Sequence, residues 1–90
     1  MIKQVNLLIS GRVQGVFYRA SAAENARSLK LVGFARNLPD GKVEIVAQGE
    51  EAYIARLVKW CHSGPPGAQV DDVAITVEEP QQNFVTFSVR

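Results

Sequence analysis

The stretch Gly11-Arg12-Val13-Gln14-Gly15-Val16-Phe17-Tyr18-Arg19 holds the residue types that can bind an oxyanion. Two glycines four residues apart let the backbone curve or approach closely, so that successive N–H groups converge on one point as an anion nest. A helix starting just after them would add its unpaired first-turn N–H groups and the positive end of its dipole. Arg19, at that start, brings a planar guanidinium fork that matches two phosphate oxygens. On residue types alone, a plain turn followed by a solvated arginine competes with a phosphate loop. Nucleotide hydrolysis of the Walker type lacks its G-K-[ST] ending, and no GxGxxG is present.

The other chemically capable residues offer less. One Cys (Cys61) and one His (His62) in 90 residues exclude an internal disulfide, a CxxC redox pair and a Cys/His zinc cluster. Cys61 falls on an apolar helix face, and His62 falls at a helix end, where the dipole favours a cation. Asp71-Asp72 and Glu78-Glu79 are adjacent pairs on strand-like runs, so their members point to opposite faces and do not form an acid/base pair. Arg12, Arg36 and Arg56 read as surface charges, with Arg12 able to attract a dianion at longer range. Ten Lys plus Arg against nine Asp plus Glu give a net charge of +1. That balance supplies no general attraction for nucleic acid or an acidic membrane, so an anion site must be local.

The elements that must position these residues follow from periodicity. Hydrophobic residues make up 47% and charged residues 21% of one short chain, enough to bury a core in a single domain over 1–90 without metal or disulfide staples. Val5, Leu7 and Ile9 alternate as a strand with one face to the core. From Tyr18 to Leu31, Ala22, Ala23, Ala26 and Leu29 recur at helical spacing, and Gly33 reads as the stop. Ser21-Ala22-Ala23-Glu24 also fits a capping box that would start the helix at Ser21. Phe34 to Leu38 and Val43, Ile45, Ala47 flank a Pro39-Asp40-Gly41 turn, a hairpin signal. Glu50 to His62 forms a second amphipathic helix, ended by Gly64-Pro65-Pro66. Two strands follow, on Val73, Ile75, Val77 and on Val85, Phe87, Val89, separated by a break from Pro80 to Asn83. The order predicts an α+β, ferredoxin-like βαββαβ sandwich: an antiparallel sheet with both helices on one face and an extra C-terminal strand. Met1 to Ser10 lacks the apolar core of a signal peptide, and no run is long enough to span a membrane. A cytoplasmic protein is expected.

Gly11 to Arg19, together with Gly33-Phe34-Ala35-Arg36-Asn37-Leu38-Pro39-Asp40-Gly41-Lys42-Val43-Glu44, closely resembles the two signatures of the acylphosphatase family. Their separation, Gly49, and Gly64-Pro65-Pro66 also fit, and the resemblance covers essentially the whole chain. It implies a hydrolase that cleaves the carboxyl-phosphate bond of acyl phosphates without metal or cofactor. Gly11, Arg12, Val13, Gln14, Gly15 and Val16 match the backbone cradle. Arg19 matches the phosphate-binding arginine, and Asn37 matches the asparagine that orients the attacking water. Without the resemblance, Asn37 reads as a turn residue. Phe17-Tyr18 stands where many members have Gly-Phe, a departure that bears on substrate preference.

The residue inventory suits that bond. An acyl phosphate expels a carboxylate, whose conjugate acid has a pKa of about 4, so no general acid is needed. The expected partners are a small acyl phosphate and inorganic phosphate or similar anions, with no nucleic acid and no membrane, and a monomer as the default. A non-catalytic anion-binding or RNA-binding ferredoxin-like module is the alternative. The RNA-binding strand motif is met only at the centre of Val32-Gly33-Phe34-Ala35-Arg36-Asn37 and then breaks.

Overall fold

A period of two in the first strand decides which side of the sheet is covered. Val5, Leu7 and Ile9 of β1 (Ile2–Arg12) are buried, and each pairs directly with an apolar residue of β3 (Val43–Glu50): Ala47, Ile45 and Val43. Directly opposed residues share a face, so these six form one apolar layer. The helices α1 (Tyr18–Ser28) and α2 (Glu51–Ser63) contribute Tyr18, Ala22, Ala23 and Ala26, and Ile54, Leu57 and Cys61, to the same core. The alanine face of α1 lets its backbone come close to the sheet. With β2 (Val32–Asn37), β4 (Gln69–Glu78) and β5 (Phe87–Val89), the sheet has the order β4-β1-β3-β2-β5. This computed structural model describes residues 1–81 and 83–90. The break predicted from Pro80 to Asn83 includes Gln82, which lies outside the described residues.

Four local expectations need correction. The sheet is mixed, not wholly antiparallel, because β5 runs parallel to β2, with Phe87 opposite Gly33 and Val89 opposite Ala35. Val85 stands outside that strand and is 89% exposed, so the alternation extends further than the ladder. The capping box at Ser21 is not the helix start. Helix α1 begins at Tyr18 after Phe17, which has φ 64° and no side-chain cap, and the Ser21 N–H donates to the Phe17 carbonyl at 3.0 Å.

Gly33 does not stop α1. The helix closes with Lys30 in the left-handed region (φ 59°), where the Lys30 N–H donates to Arg27 and the Leu31 N–H to Ala26, the double closure of a Schellman end. Gly33 instead lies within β2 at φ 138°, where a β-carbon would stand 1.9 Å from the Val46 carbonyl oxygen. Backbone on both sides fixes that approach. Gly33→Ala is therefore expected to destabilise the fold by about 3 kcal/mol or more, read as a lower urea midpoint at unchanged slope.

The strand directions also place the site. β1 and β2 are each antiparallel to β3, and β5 is parallel to β2, so the C-terminal ends of β1, β2 and β5 point one way. Helix α1 starts at that same end, because its chain comes directly from β1.

Candidate active site

At that end of the sheet lies a cleft of about 260 Å³, lined by Val13 and Gly15 of the loop, Phe17 to Ala20 at the start of α1, Asn37 at the end of β2 and Val89 of β5. Its size is close to the lower limit of roughly 300 Å³ for small-molecule sites. Tyr18, Arg19 and Ala20 form the first turn of α1, and their N–H groups precede the first helical bond, made by Ser21. Such first-turn groups have no partner within their own helix and carry the positive end of the dipole. The Tyr18 ring is buried, donates from its hydroxyl to the Cys61 carbonyl at 2.7 Å and packs 5.3 Å from Trp60 between centroids.

Arg19 is half-buried, and one guanidinium N–H donates to the Arg90 carbonyl oxygen at 2.7 Å. That bond anchors one corner of a group with about five donors, which leaves the rest of its fork for an anion. Asn37 is exposed and pairs with Val43 at the end of the hairpin ladder. Because Asn37 stands two residues after the core residue Ala35 and so shares its face, Asn37 points to the side of the sheet that carries the helices, where the cleft opens. Arg19 and Asn37, separated in sequence by the whole of α1, thus reach one cleft through the β1-α1-β2 crossover.

The acylphosphatase family model matches residues 5–89. The chain belongs to that family. An acylphosphatase of Marinobacter nauticus is 52% identical over 86 residues, which cover 96% of this chain and 94% of the relative. The structure of an acylphosphatase from Coxiella burnetii matches with a TM-score of 0.95 at 38% identity, covering 99% of this chain and 93% of that one. The acylphosphatase structure from Bacillus subtilis matches at 0.94 and 33%, covering 100% and 99%. The family expected from the two signatures and the ferredoxin-like α+β fold are both borne out, and the chain stands among enzymes.

The acylphosphatase signatures do not all reach the cleft wall. Of the loop residues matched to the cradle, Val13 and Gly15 line the cleft, and Gly11, Arg12, Gln14 and Val16 do not. Gly11 lies where β1 slips register against β4, and a β-carbon on it would stand 2.1 Å from the Gln69 carbonyl oxygen. Its glycine is required by strand packing. Arg12 is exposed at the end of β1 opposite Gln69, and Val16 packs against the core. Gln14 stays outside the cleft lining: its side-chain amide donates to the Leu38 carbonyl at 2.8 Å and the Lys42 carbonyl at 2.9 Å. It ties the loop to the hairpin that carries Asn37. Sequence reasoning missed that clamp and the part of Phe17, Ala20 and Val89 in the lining. The left-handed Phe17, which fixes the helix start at Tyr18 over the alternative at Ser21, carries no mark in the sequence.

The remaining candidates stay outside the cleft. Cys61 is buried, and burial pushes its thiol up to about 12, so it remains protonated and unreactive at neutral pH. His62 is exposed in the last turn of α2. Asp71, Asp72 and Glu79 are exposed, Glu78 accepts from Gln4, and among the described residues no three His, Cys, Asp or Glu side chains converge as a metal site needs. Glu44 lies on the opposite face of the sheet. Burial works against its charge, but hydrogen bonds from Asn6 and Arg36 outweigh that and hold the carboxyl below its usual range. Phe34, the aromatic that a nucleic acid would stack on, is already covered by Phe84 and by the Arg90 guanidinium 4.0 Å from its ring centre. Among the described residues no helix is long and apolar enough to cross a membrane.

Proposed function

We propose that this chain hydrolyses the carboxyl-phosphate bond of acyl phosphates, releasing a carboxylate and inorganic phosphate, with no metal ion taking part. The observation that carries the reading is the meeting of Arg19, Asn37 and the first-turn N–H groups of residues 18–20 in one small cleft. In this reading the loop and first-turn N–H groups and Arg19 hold the phosphoryl oxygens, where charge is spread in a loose transition state. Asn37 accepts a hydrogen bond from water through its amide oxygen and directs that water at phosphorus. The P–O bond to the acyl group breaks, its electron pair leaves with the carboxylate, and the proton of the water passes to a phosphate oxygen. No side chain of the cleft has to gain or lose a proton, which agrees with the lack of His, Asp or Glu in its lining.

Turnover of acetyl phosphate after treatment with EDTA tests the reading. The expected rate equals that of untreated protein. A rate that collapses in EDTA and returns with added Mg²⁺ overturns the metal-free mechanism. Phosphate affinity without turnover turns the chain into an anion-binding module. Salt-dependent oligonucleotide binding that is lost on Phe34→Ala revives the RNA reading.

A further inference from the structure

Phe17 carries two unfavourable features at the mouth of the cleft. Its φ of 64° lies in the left-handed region, where a bulky L residue is an outlier and glycine or asparagine sits freely. Its ring is 83% exposed, so it contributes little to the core in return. Neither the turn nor the packing asks for a phenyl group there. Phe17 lines the same cleft as Arg19, together with Ala20 and the 43% exposed Val89, and its ring is free to lie over that cleft.

The cleft therefore has two chemistries side by side. Arg19, Asn37 and the first-turn N–H groups form a polar part suited to a dianion, and Phe17, Ala20 and Val89 form an apolar part with no hydrogen-bonding side chain. An acyl phosphate is divided in the same way, into a charged phosphoryl end and a carbon-bearing acyl end. In-line displacement also requires water and leaving group on opposite sides of phosphorus. Asn37 and Val89 come from the sheet wall, and Phe17 and Ala20, the larger part of the apolar lining, come from the helix wall.

We propose that Phe17, backed by Ala20 and Val89, forms an acyl-group subsite that favours aromatic over short alkyl acyl phosphates. The ring is a specificity-determining group that stacks on the leaving acyl moiety and takes no part in the displacement at phosphorus. This subsite rests on the hydrolase reading above, because it acts on the group being expelled.

The test compares kcat/KM for benzoyl phosphate and acetyl phosphate in wild type, Phe17→Gly, Phe17→Asn and Phe17→Tyr. The first two variants remove the ring and suit the left-handed backbone, and the third keeps a ring. Competitive inhibition by inorganic phosphate reports in each whether the loop has kept its shape. The ratio of benzoyl to acetyl kcat/KM is expected to fall about three- to tenfold in Phe17→Gly and Phe17→Asn, the scale of one aromatic stacking contact, with phosphate inhibition held. Phe17→Tyr is expected to keep the wild-type ratio. An unchanged ratio in both ring-deleted variants, an equal loss in Phe17→Tyr, or a fall that tracks weakened phosphate inhibition overturns the subsite while leaving the hydrolase reading standing. Turnover of neither substrate by wild type overturns the hydrolase reading, and the subsite with it.

Discussion

Arg19→Gln is expected to lower kcat/KM for an acyl phosphate by on the order of a thousandfold while leaving the fold intact. Loss of one neutral donor aimed at developing charge lowers rates by about 10²- to 10³-fold, and a charge-assisted bond is roughly twice as strong as a neutral one. The loss should divide between binding and chemistry, because in the proposed mechanism the guanidinium faces the phosphoryl oxygens in both ground and transition states. Inhibition by inorganic phosphate should weaken in parallel. The rise in melting temperature expected from phosphate binding to the wild type by mass action should largely vanish in this variant. Stability without ligand should change by about 1 kcal/mol or less, since the hydrogen bond that Arg19 makes to the Arg90 carbonyl is solvent-exposed. Arg19→Lys keeps the charge and loses the fork, so its activity should lie between wild type and Arg19→Gln. A kcat/KM within tenfold of wild type for Arg19→Gln removes Arg19 from the phosphate site.

What the sequence disclosed depended on how local the determining physics is. The buried faces Val5, Leu7, Ile9 and Val43, Ile45, Ala47 were visible because a period of two marks the buried face whichever strand lies beside it, whereas their pairing with one another was not. The same rule found β5 in Val85, Phe87 and Val89 and then overran it. Alternation records a side-chain preference, whereas the ladder needs β2 within hydrogen-bond reach, and only Phe87 to Val89 have it. Its parallel direction depends on how the chain returns after β4, which no short window contains. Gly33 misled because a glycine shortly after a helical run fits a helix end, while the true end uses Lys30 in a left-handed conformation and the glycine answers to a carbonyl of another strand. That Arg19 reaches the cleft was legible from its neighbours, a glycine loop and a helix start. Asn37 was legible only through the family signature, since its local setting before Leu38-Pro39-Asp40 resembles any turn. The Gln14 clamp was not legible, because its two acceptors are main-chain carbonyls, which are alike in every sequence.

That clamp gives the second large effect a distinctive form. Asn37→Ala should lower kcat by about 10²- to 10³-fold with KM and phosphate inhibition nearly unchanged, because in the proposed mechanism its amide acts on the water and not on the phosphoryl oxygens. The split between kcat and KM separates it from Arg19→Gln, which moves both. Asn37 is exposed, and its place is set by the hairpin, whose turn closes through the Leu38 N–H to the Lys42 carbonyl at 2.8 Å. The same Lys42 carbonyl and that of Leu38 accept from Gln14. Gln14→Ala removes the tie between loop and hairpin and lets Asn37 drift, for an expected loss of about tenfold in kcat with phosphate inhibition again held, since a small misplacement of a positioning group is enough for that. Gln14 thus works through Asn37, and the double variant Gln14→Ala/Asn37→Ala should be no slower than Asn37→Ala alone. Coupling of this kind is expected between residues that act as one unit and absent between independent ones. Multiplicative losses in the double variant would mean that Gln14 supports the anion loop directly, and weakened phosphate inhibition in Asn37→Ala would move Asn37 from the water to the phosphate.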